Sequence, residues 1–297
     1  MRHNRRVTSV TPLPRTPAAP SVPIRLIATD LDGTLLRDDK TISPRTRAAL
    51  GAAERAGIGV LFVTGRPARW MEVVRDHAHA DALAICGNGA AVVDLGADDE
   101  SGRPRFVRVR PLLEETALQV VSRLRTHAPG TSFAVERTSG LFHEMSYPPL
   151  HLDPAQSVAP AEKLLAEPTG TTPQPVLKLL AHHEELAPDA FLTRAREILG
   201  DLVSVTRSSP TALLEISAHG VSKASTLALS CAERGIRPEE VAAFGDMPND
   251  IEMLSWAGSS YAMGNAHPDV LAAATGSTLG NNEDGVALVI ERILAGG

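Results

Sequence analysis

The sequence predicts an α/β protein: a Rossmann-like core with a parallel sheet, interrupted by an inserted α+β unit. Three observations predict it. Short apolar runs at 24–29, 58–63 and 82–86 are separated by helix-length stretches, the order of βαβ units. Between 90 and 216 the pattern changes to paired, hairpin-like strands mixed with helices. Buried-strand runs of the first kind then return at 241–244 and 261–263.

Residues 24–29 read as a buried strand with one charge near its start. Ser43-Pro44 opens a helix, Ser as N-cap and Pro at the first helical position, and Gly57 is placed to end it. The strand 58–63 ends at Thr64-Gly65-Arg66-Pro67, and a helix follows to about His77. The strand 82–86 ends at Gly87-Asn88-Gly89. Beyond it, strands are expected at 90–94 and 105–109, a helix at 112–126, and strands at 132–136 and 141–144. Residues 147–175 are rich in Pro, Thr and Gly, with room for one short helix at 160–166. A strand at 176–180, a helix at 188–199 and strands at 203–206 and 212–216 complete the region. A helix starts at Lys223 and runs to about Arg234. The expected organisation is a disordered arm at 1–22, a discontinuous core at 23–87 and 211–297, and the inserted unit at 88–210.

The chain has 297 residues, long for a single core. Its formal charge is −6, and the four arginines of residues 1–22 leave −10 on the rest. An acidic body argues against a broad nucleic-acid surface. No apolar run approaches the ~20 residues needed to cross a membrane. Cys86 and Cys231, far apart in apolar surroundings, read as packed thiols of a reducing compartment, so a cytoplasmic location is expected. Residues 1–22 lack periodicity and a secretory apolar stretch, and prolines spoil a helical leader.

The chemistry concentrates at strand ends. Asp30-Leu31-Asp32-Gly33-Thr34 follows the first strand, and alternation along an extended chain would point residues 30 and 32 the same way. Carboxyl ends of strands are where open α/β sheets bind ligands. Two unit charges ~4 Å apart repel by about 4 kcal/mol at an effective dielectric of ~20, so either one acid is protonated or a cation sits between them. Mg²⁺ prefers such oxygen ligands together with substrate phosphate. Thr64 ends the second strand, and Gly245-Asp246-Met247-Pro248-Asn249-Asp250 follows the strand at 241–244. Lys223 lies at a helix N-terminus, a poor place for a cation unless an anionic partner is near. Taken singly, each of these has a plain reading: an acidic turn, a helix-capping Thr, a solvated first-turn Lys.

Taken in order, DLDGTLL (30–36), VTGR (63–66), GNGA (87–90), GVSK (220–223) and GDMPND (245–250) resemble the haloacid dehalogenase-like superfamily, and within it the Cof-type phosphatases, over about residues 24–290. The resemblance implies a Mg²⁺-dependent phosphatase of a small phosphorylated metabolite, such as a sugar phosphate or phosphorylated cofactor. It implies that Asp30 is the nucleophile, that Asp32 is the general acid and base, and that Thr64 binds a phosphoryl oxygen. Lys223 would neutralise the transferring group. Asp246 would complete a metal shell with Asp30 and the backbone carbonyl of Asp32, with Asp250 behind it or as an alternative ligand. Asn249 would hold Lys223 or phosphate, and Asn88 would touch substrate. The inserted unit corresponds to the family's cap, which closes over the site and reads the leaving group. Arg137, His143, Glu144 and Lys178 are its candidate polar contacts. Arg66 is expected to pair with an acid or cap a loop. His182-His183 reads as a surface pair, lacking a third ligand at suitable spacing. The expected state is a monomer or small homo-oligomer. A phosphomutase on the same scaffold and a non-catalytic sensor of a phosphorylated ligand are the competing functions.

Overall fold

The computed structural model describes residues 22–75, 82–98, 104–149, 154–166, 174–209 and 211–296; the expected arm lies outside them, apart from its last residue. In chain order the elements begin with β1 (Leu26–Thr29), α1 (Pro44–Arg55), β2 (Gly59–Val63), α2 (Glu72–Arg75), β3 (Leu83–Cys86), β4 (Ala91–Asp98) and β5 (Pro104–Val109). There follow α3 (Glu114–His127), β6 (Ser132–Arg137), β7 (Gly140–His143), β8 (Ser157–Val158), α4 (Ala161–Ala166), β9 (Val176–His182), α5 (Pro188–Leu199), β10 (Val203–Thr206) and β11 (Leu213–Ala218). The chain ends with α6 (Lys223–Glu233), β12 (Val241–Gly245), α7 (Ile251–Trp256), β13 (Ser259–Ala262), α8 (Pro268–Ala273), β14 (Gly276–Ser277) and α9 (Gly285–Ala295).

Two sheets result. The larger has the order β14-β13-β12-β1-β2-β3-β4-β5, and its pairs from β14 to β3 are parallel. Its central strands bury both faces, as their unbroken apolar runs require. Ile27, Phe62 and Phe244 pack on one side with α1 and α9, while Ala28, Leu61, Val63 and Ala243 pack on the other with α6 and α7. The period of two along each strand divides one apolar run between two cores. Ser43 caps α1 as expected, its hydroxyl accepting from the Thr46 N–H.

The smaller sheet has the order β10-β11-β9-β6-β7-β8. Phe133, Val135, Leu179, Leu214 and Ile216 cover one face against α3, α4 and α5. Its other face carries Glu136, Leu141, Lys178, Leu180, Leu213 and Glu215 towards the larger sheet's strand ends.

Sheet membership moves both expected crossings. β4 and β5, placed by the sequence in the inserted unit at 88–210, extend the larger sheet antiparallel to β3. The reason is the turn at Gly87-Asn88-Gly89, whose three φ angles are all positive (58°, 56° and 101°) and which folds Ala91 back beside Cys86. Only a glycine serves at 89, since a Cβ there would strike the Ser222 carbonyl. β11, which the bounds 211–297 assign to the core although its pattern completes the hairpin-rich region, pairs with β9 and β10 in the smaller sheet. The chain therefore crosses after β5 and returns after β11. Arg110 ties the two crossings, donating to the Ser225 and Thr226 hydroxyls (both 2.7 Å) and to the Gly220 carbonyl (3.1 Å).

Candidate active site

β1, β2 and β12 are neighbours, so the segments after them converge on one edge of the larger sheet. Asp30 follows β1, Thr64 follows β2, and Asp246 to Asp250 follow β12. Lys223, the first residue of α6, enters from the side. Ser222 and Ser225 form a reciprocal cap at that helix start, which fixes where Lys223 begins.

Lys223 is 1% exposed and its Nζ lies 2.9 Å from Asp30 Oδ1 and 2.7 Å from Asp250 Oδ1. Burial alone would lower its pKa, but the charges of Asp250 and Asp30 raise it above the ordinary lysine value. Asp250 is wholly buried, and its second oxygen accepts the N–H groups of Asp246 and Met247, each at 3.0 Å. Both Asp250 oxygens are thus engaged in holding Lys223 and the loop after β12. Asp246 accepts from the Thr34 hydroxyl at 2.8 Å. Gly33 has φ 74° and packs so closely on Asp246 that a Cβ would meet its carboxylate.

Asp30, Asp246 and Asp250 have ligand oxygens within 4.8 Å of one another. Three carboxylates against one ammonium leave two negative charges in a buried space. Burial, opposed by Lys223 and reinforced by Asp250 and Asp246, pushes Asp30 well above the carboxylate range. Burial and the Asp250 charge push Asp246 up to about 7. A divalent cation would balance that charge, and an all-oxygen donor set suits Mg²⁺. The residues present therefore fit a magnesium ion, with Asp30 and Asp246 offering oxygens not already taken by Lys223 and the backbone together.

Asp32 departs from its expected direction. Its carboxylate is outside the three-acid group and is gripped by Arg66, Nε at 2.6 Å and Nη2 at 2.8 Å, and by Lys40 at 2.9 Å. Extended alternation fails because the chain turns at once: the Leu36 N–H already bonds the Leu31 carbonyl at 2.8 Å. Burial raises the Asp32 pKa, but hydrogen bonds from Arg66 and Lys40 outweigh it and bring it to about 2. Asp30, Asp32, Thr64 and Asn249 still share one cleft of about 380 Å³. The Thr64 hydroxyl accepts the Arg66 N–H at 3.0 Å.

Asn88 sits at the GNG turn with its side chain buried, accepting from Asn249 Nδ2 at 3.0 Å. Asn249 Oδ1 has no hydrogen-bond partner among the described residues. Asn88 also hydrogen-bonds the Glu215 carboxylate, which helps to lower that acid's pKa.

Of the polar residues expected from the inserted unit, Lys178 alone lines this cleft. Arg137 is turned inward, donating to the Gln174 carbonyl (2.6 Å) and the Leu164 carbonyl (3.1 Å). Glu144 accepts the Phe133 and Ala161 N–H groups, each at 2.9 Å, and His143 Nδ1 bonds the Glu144 carbonyl. Glu136 and Glu215, missed in the sequence, line the cleft instead. Glu215 is a lone acid among apolar neighbours in LLEIS, and Glu136 ends the apolar run FAV, a signal the sequence offered for both. Lys40 and Arg69 also line it without having been expected. His183 is used locally: its Nε2 bonds the Pro129 carbonyl, and Nδ1 accepts from the Glu185 and Leu186 N–H groups.

Comparison with known proteins gives the family and the fold. A family model described as haloacid dehalogenase-like hydrolase matches residues 27–290. The 5-amino-6-(5-phospho-D-ribitylamino)uracil phosphatase YitU of Bacillus subtilis is 31% identical over 263 residues, 88% of this chain and 94% of its own. The pyridoxal phosphate phosphatase YbhA of Escherichia coli is 30% identical over 273 residues, 90% of this chain and 97% of its own. The solved structure of a haloacid dehalogenase-like hydrolase from B. subtilis superposes with a TM-score of 0.75 at 24% identity, covering 90% of this chain and 99% of that one, a likeness of fold. With the family model spanning nearly all of the described chain, this protein belongs to the haloacid dehalogenase-like hydrolases.

Proposed function

We propose that this chain is a Mg²⁺-dependent phosphatase of a small phosphorylated metabolite, working through an aspartyl-phosphate on Asp30. The carrying observation is the buried group of Asp30, Asp246, Asp250 and Lys223, whose Asp30 opens onto a cleft that Asp32 also lines. The relatives named as phosphatases of a ribitylaminouracil phosphate and of pyridoxal phosphate support a small phosphomonoester as substrate.

Phosphoryl transfer asks the protein mainly for positioning and charge stabilisation. An oxygen of Asp30 attacks phosphorus while the bond to the leaving oxygen breaks, and Asp32 gives that oxygen its proton. Water then attacks the phosphorus, Asp32 takes the water proton, and the bond to Asp30 breaks to release phosphate. Lys223, held by Asp250, faces the transferring group with a fixed positive charge. Thr64 and Asn249 offer hydrogen bonds to phosphoryl oxygens. Asp30, Asp246 and the Asp32 carbonyl would hold Mg²⁺, which would supply charge neutralisation for the phosphoryl oxygens. Glu136, Lys178 and Glu215 place the smaller sheet over the cleft as the surface that meets the leaving group.

Purified protein with Mg²⁺ should release inorganic phosphate from phosphomonoesters, and EDTA should stop this until Mg²⁺ is restored. Asp30→Asn should lose at least about a thousandfold in kcat while keeping its fold by circular dichroism. Isomerised product in place of free phosphate would indicate a mutase, and binding without turnover a sensor.

A further inference from the structure

Above the phosphoryl-transfer residues the cleft changes character. Leu141, Leu180 and Leu213 project from three strands of the smaller sheet, and Trp70 and Pro67 line the cleft from the core side. The three leucines form one apolar cluster with Ala134 and Tyr147. The charged residues beside them are engaged with each other. Arg69 grips both oxygens of Glu136 and lies 5.6 Å over the Trp70 ring. Lys178 pairs with Glu215 and also donates to the Gly65 carbonyl at 2.8 Å, and Ser208 donates to the other Glu215 oxygen. Glu215 and Lys178 are 3% and 4% exposed. This part of the cleft is therefore apolar on two sides and electrically closed.

We propose that the leaving group is a flat, uncharged ring, seated between the leucine shelf and the Trp70 side of the cleft; this rests on the phosphatase reading of the same site. A ring places its faces on apolar surface, the main source of affinity in such pockets. A polyol would bury hydroxyls against leucines that cannot hydrogen-bond them. A carboxylate or second phosphate beside the leucines would need a counter-charge there, and Arg69 and Lys178 are already committed to Glu136 and Glu215, as Arg66 and Lys40 are to Asp32 nearer the phosphoryl end. Leu141, Leu180 and Leu213 act as specificity-determining residues on this view.

The test compares esters of primary alcohols, so that the chemistry at phosphorus is matched: benzyl phosphate and 2-naphthylmethyl phosphate against glucose 6-phosphate, glycerol 3-phosphate and 3-phosphoglycerate as the acidic comparison; acetyl phosphate, an activated acyl phosphate without a side group, serves only to show that phosphate can be released. The two ring esters should exceed the three other primary-alcohol esters by about tenfold or more in kcat/KM. Leu213→Thr should narrow that ratio, mostly through KM, and Leu213→Met should restore it. A polyol or acidic ester turned over better than the rings overturns the proposal, and so does an unchanged ratio in a folded Leu213→Thr protein. The unaltered chain decides the question alone should that variant not fold. Release of phosphate from acetyl phosphate with no ring preference overturns this inference and leaves the phosphatase reading standing. No release from any compound overturns both.

Discussion

At the residue scale the site is a problem of charge. Lys223 has no solvent contact and cannot be removed without leaving three carboxylates facing one another. Breaking a buried pair in this way costs about 3–5 kcal/mol. Asp32 raises a different question. Arg66 and Lys40 hold it ionised, the form that would serve as base towards water, so in the proposed mechanism arriving substrate would have to loosen their grip before Asp32 acted as an acid. Asp32→Asn separates the two duties. With 4-nitrophenyl phosphate, whose leaving group needs no proton, this variant should release a burst of nitrophenol and then turn over slowly, because loss of the phosphoryl group still needs a base. A stopped-flow trace without a burst, or steady turnover equal to the parent, contradicts that role. The acids and the Lys were legible because they stand in short motifs directly after strands. Lys40, Glu136 and Glu215 were not, since their roles depend on partners that only the fold brings near: Glu215 meets Lys178 across paired strands, 37 positions away.

At the element scale the larger sheet was legible from its apolar runs and the smaller one from its hairpin pattern. The crossings between them were not. GNG reads equally as an exit from a domain or a hairpin turn, and the left-handed backbone of Asn88, at φ 56°, decides for the hairpin. The helices α7, α8 and α9 were not anticipated; α9 is nevertheless tightly packed through Val286, Val289 and Ile290 against the core beside α1. Between the two sheets, Lys178 of β9 is one point of contact, joining Glu215 of β11 to the Gly65 carbonyl after β2, and Arg69 on Glu136 of β6 is another. Burial disfavours the Glu215 charge, but Lys178 and Ser208 more than offset it, so its pKa lies below the usual 4.5. A carboxyl depressed in the folded state adds stability above its unfolded pKa and loses it as pH falls through the folded value. Glu215→Gln should therefore flatten the fall in melting temperature between about pH 5 and pH 3. An acid limb as steep as the parent's would show that the pair carries no such linkage.

For the whole molecule, two buried cores on either side of one parallel sheet provide a rigid floor, and the smaller sheet, with its own helical backing, faces that floor across the cleft. No described helix is long and apolar enough to cross a membrane. On the proposed reading, the excess negative charge of the three-acid group would make stability depend on the cation. Adding Mg²⁺ should raise the melting temperature, increasingly with concentration, as for any ligand that binds only the folded state. Asp246→Asn, which removes a proposed ligand and one of the repelling charges, should be less responsive, and an equal response would place the ion elsewhere. The central claim concerns Asp30 itself. Its most direct test is acid quenching during turnover, followed by digestion and mass spectrometry of the peptide that contains Asp30. The account predicts a phosphoryl group on Asp30 that disappears once substrate is consumed. Turnover with that peptide unmodified at every quench time, in a protein whose Asp32→Asn variant accumulates nothing either, would contradict it.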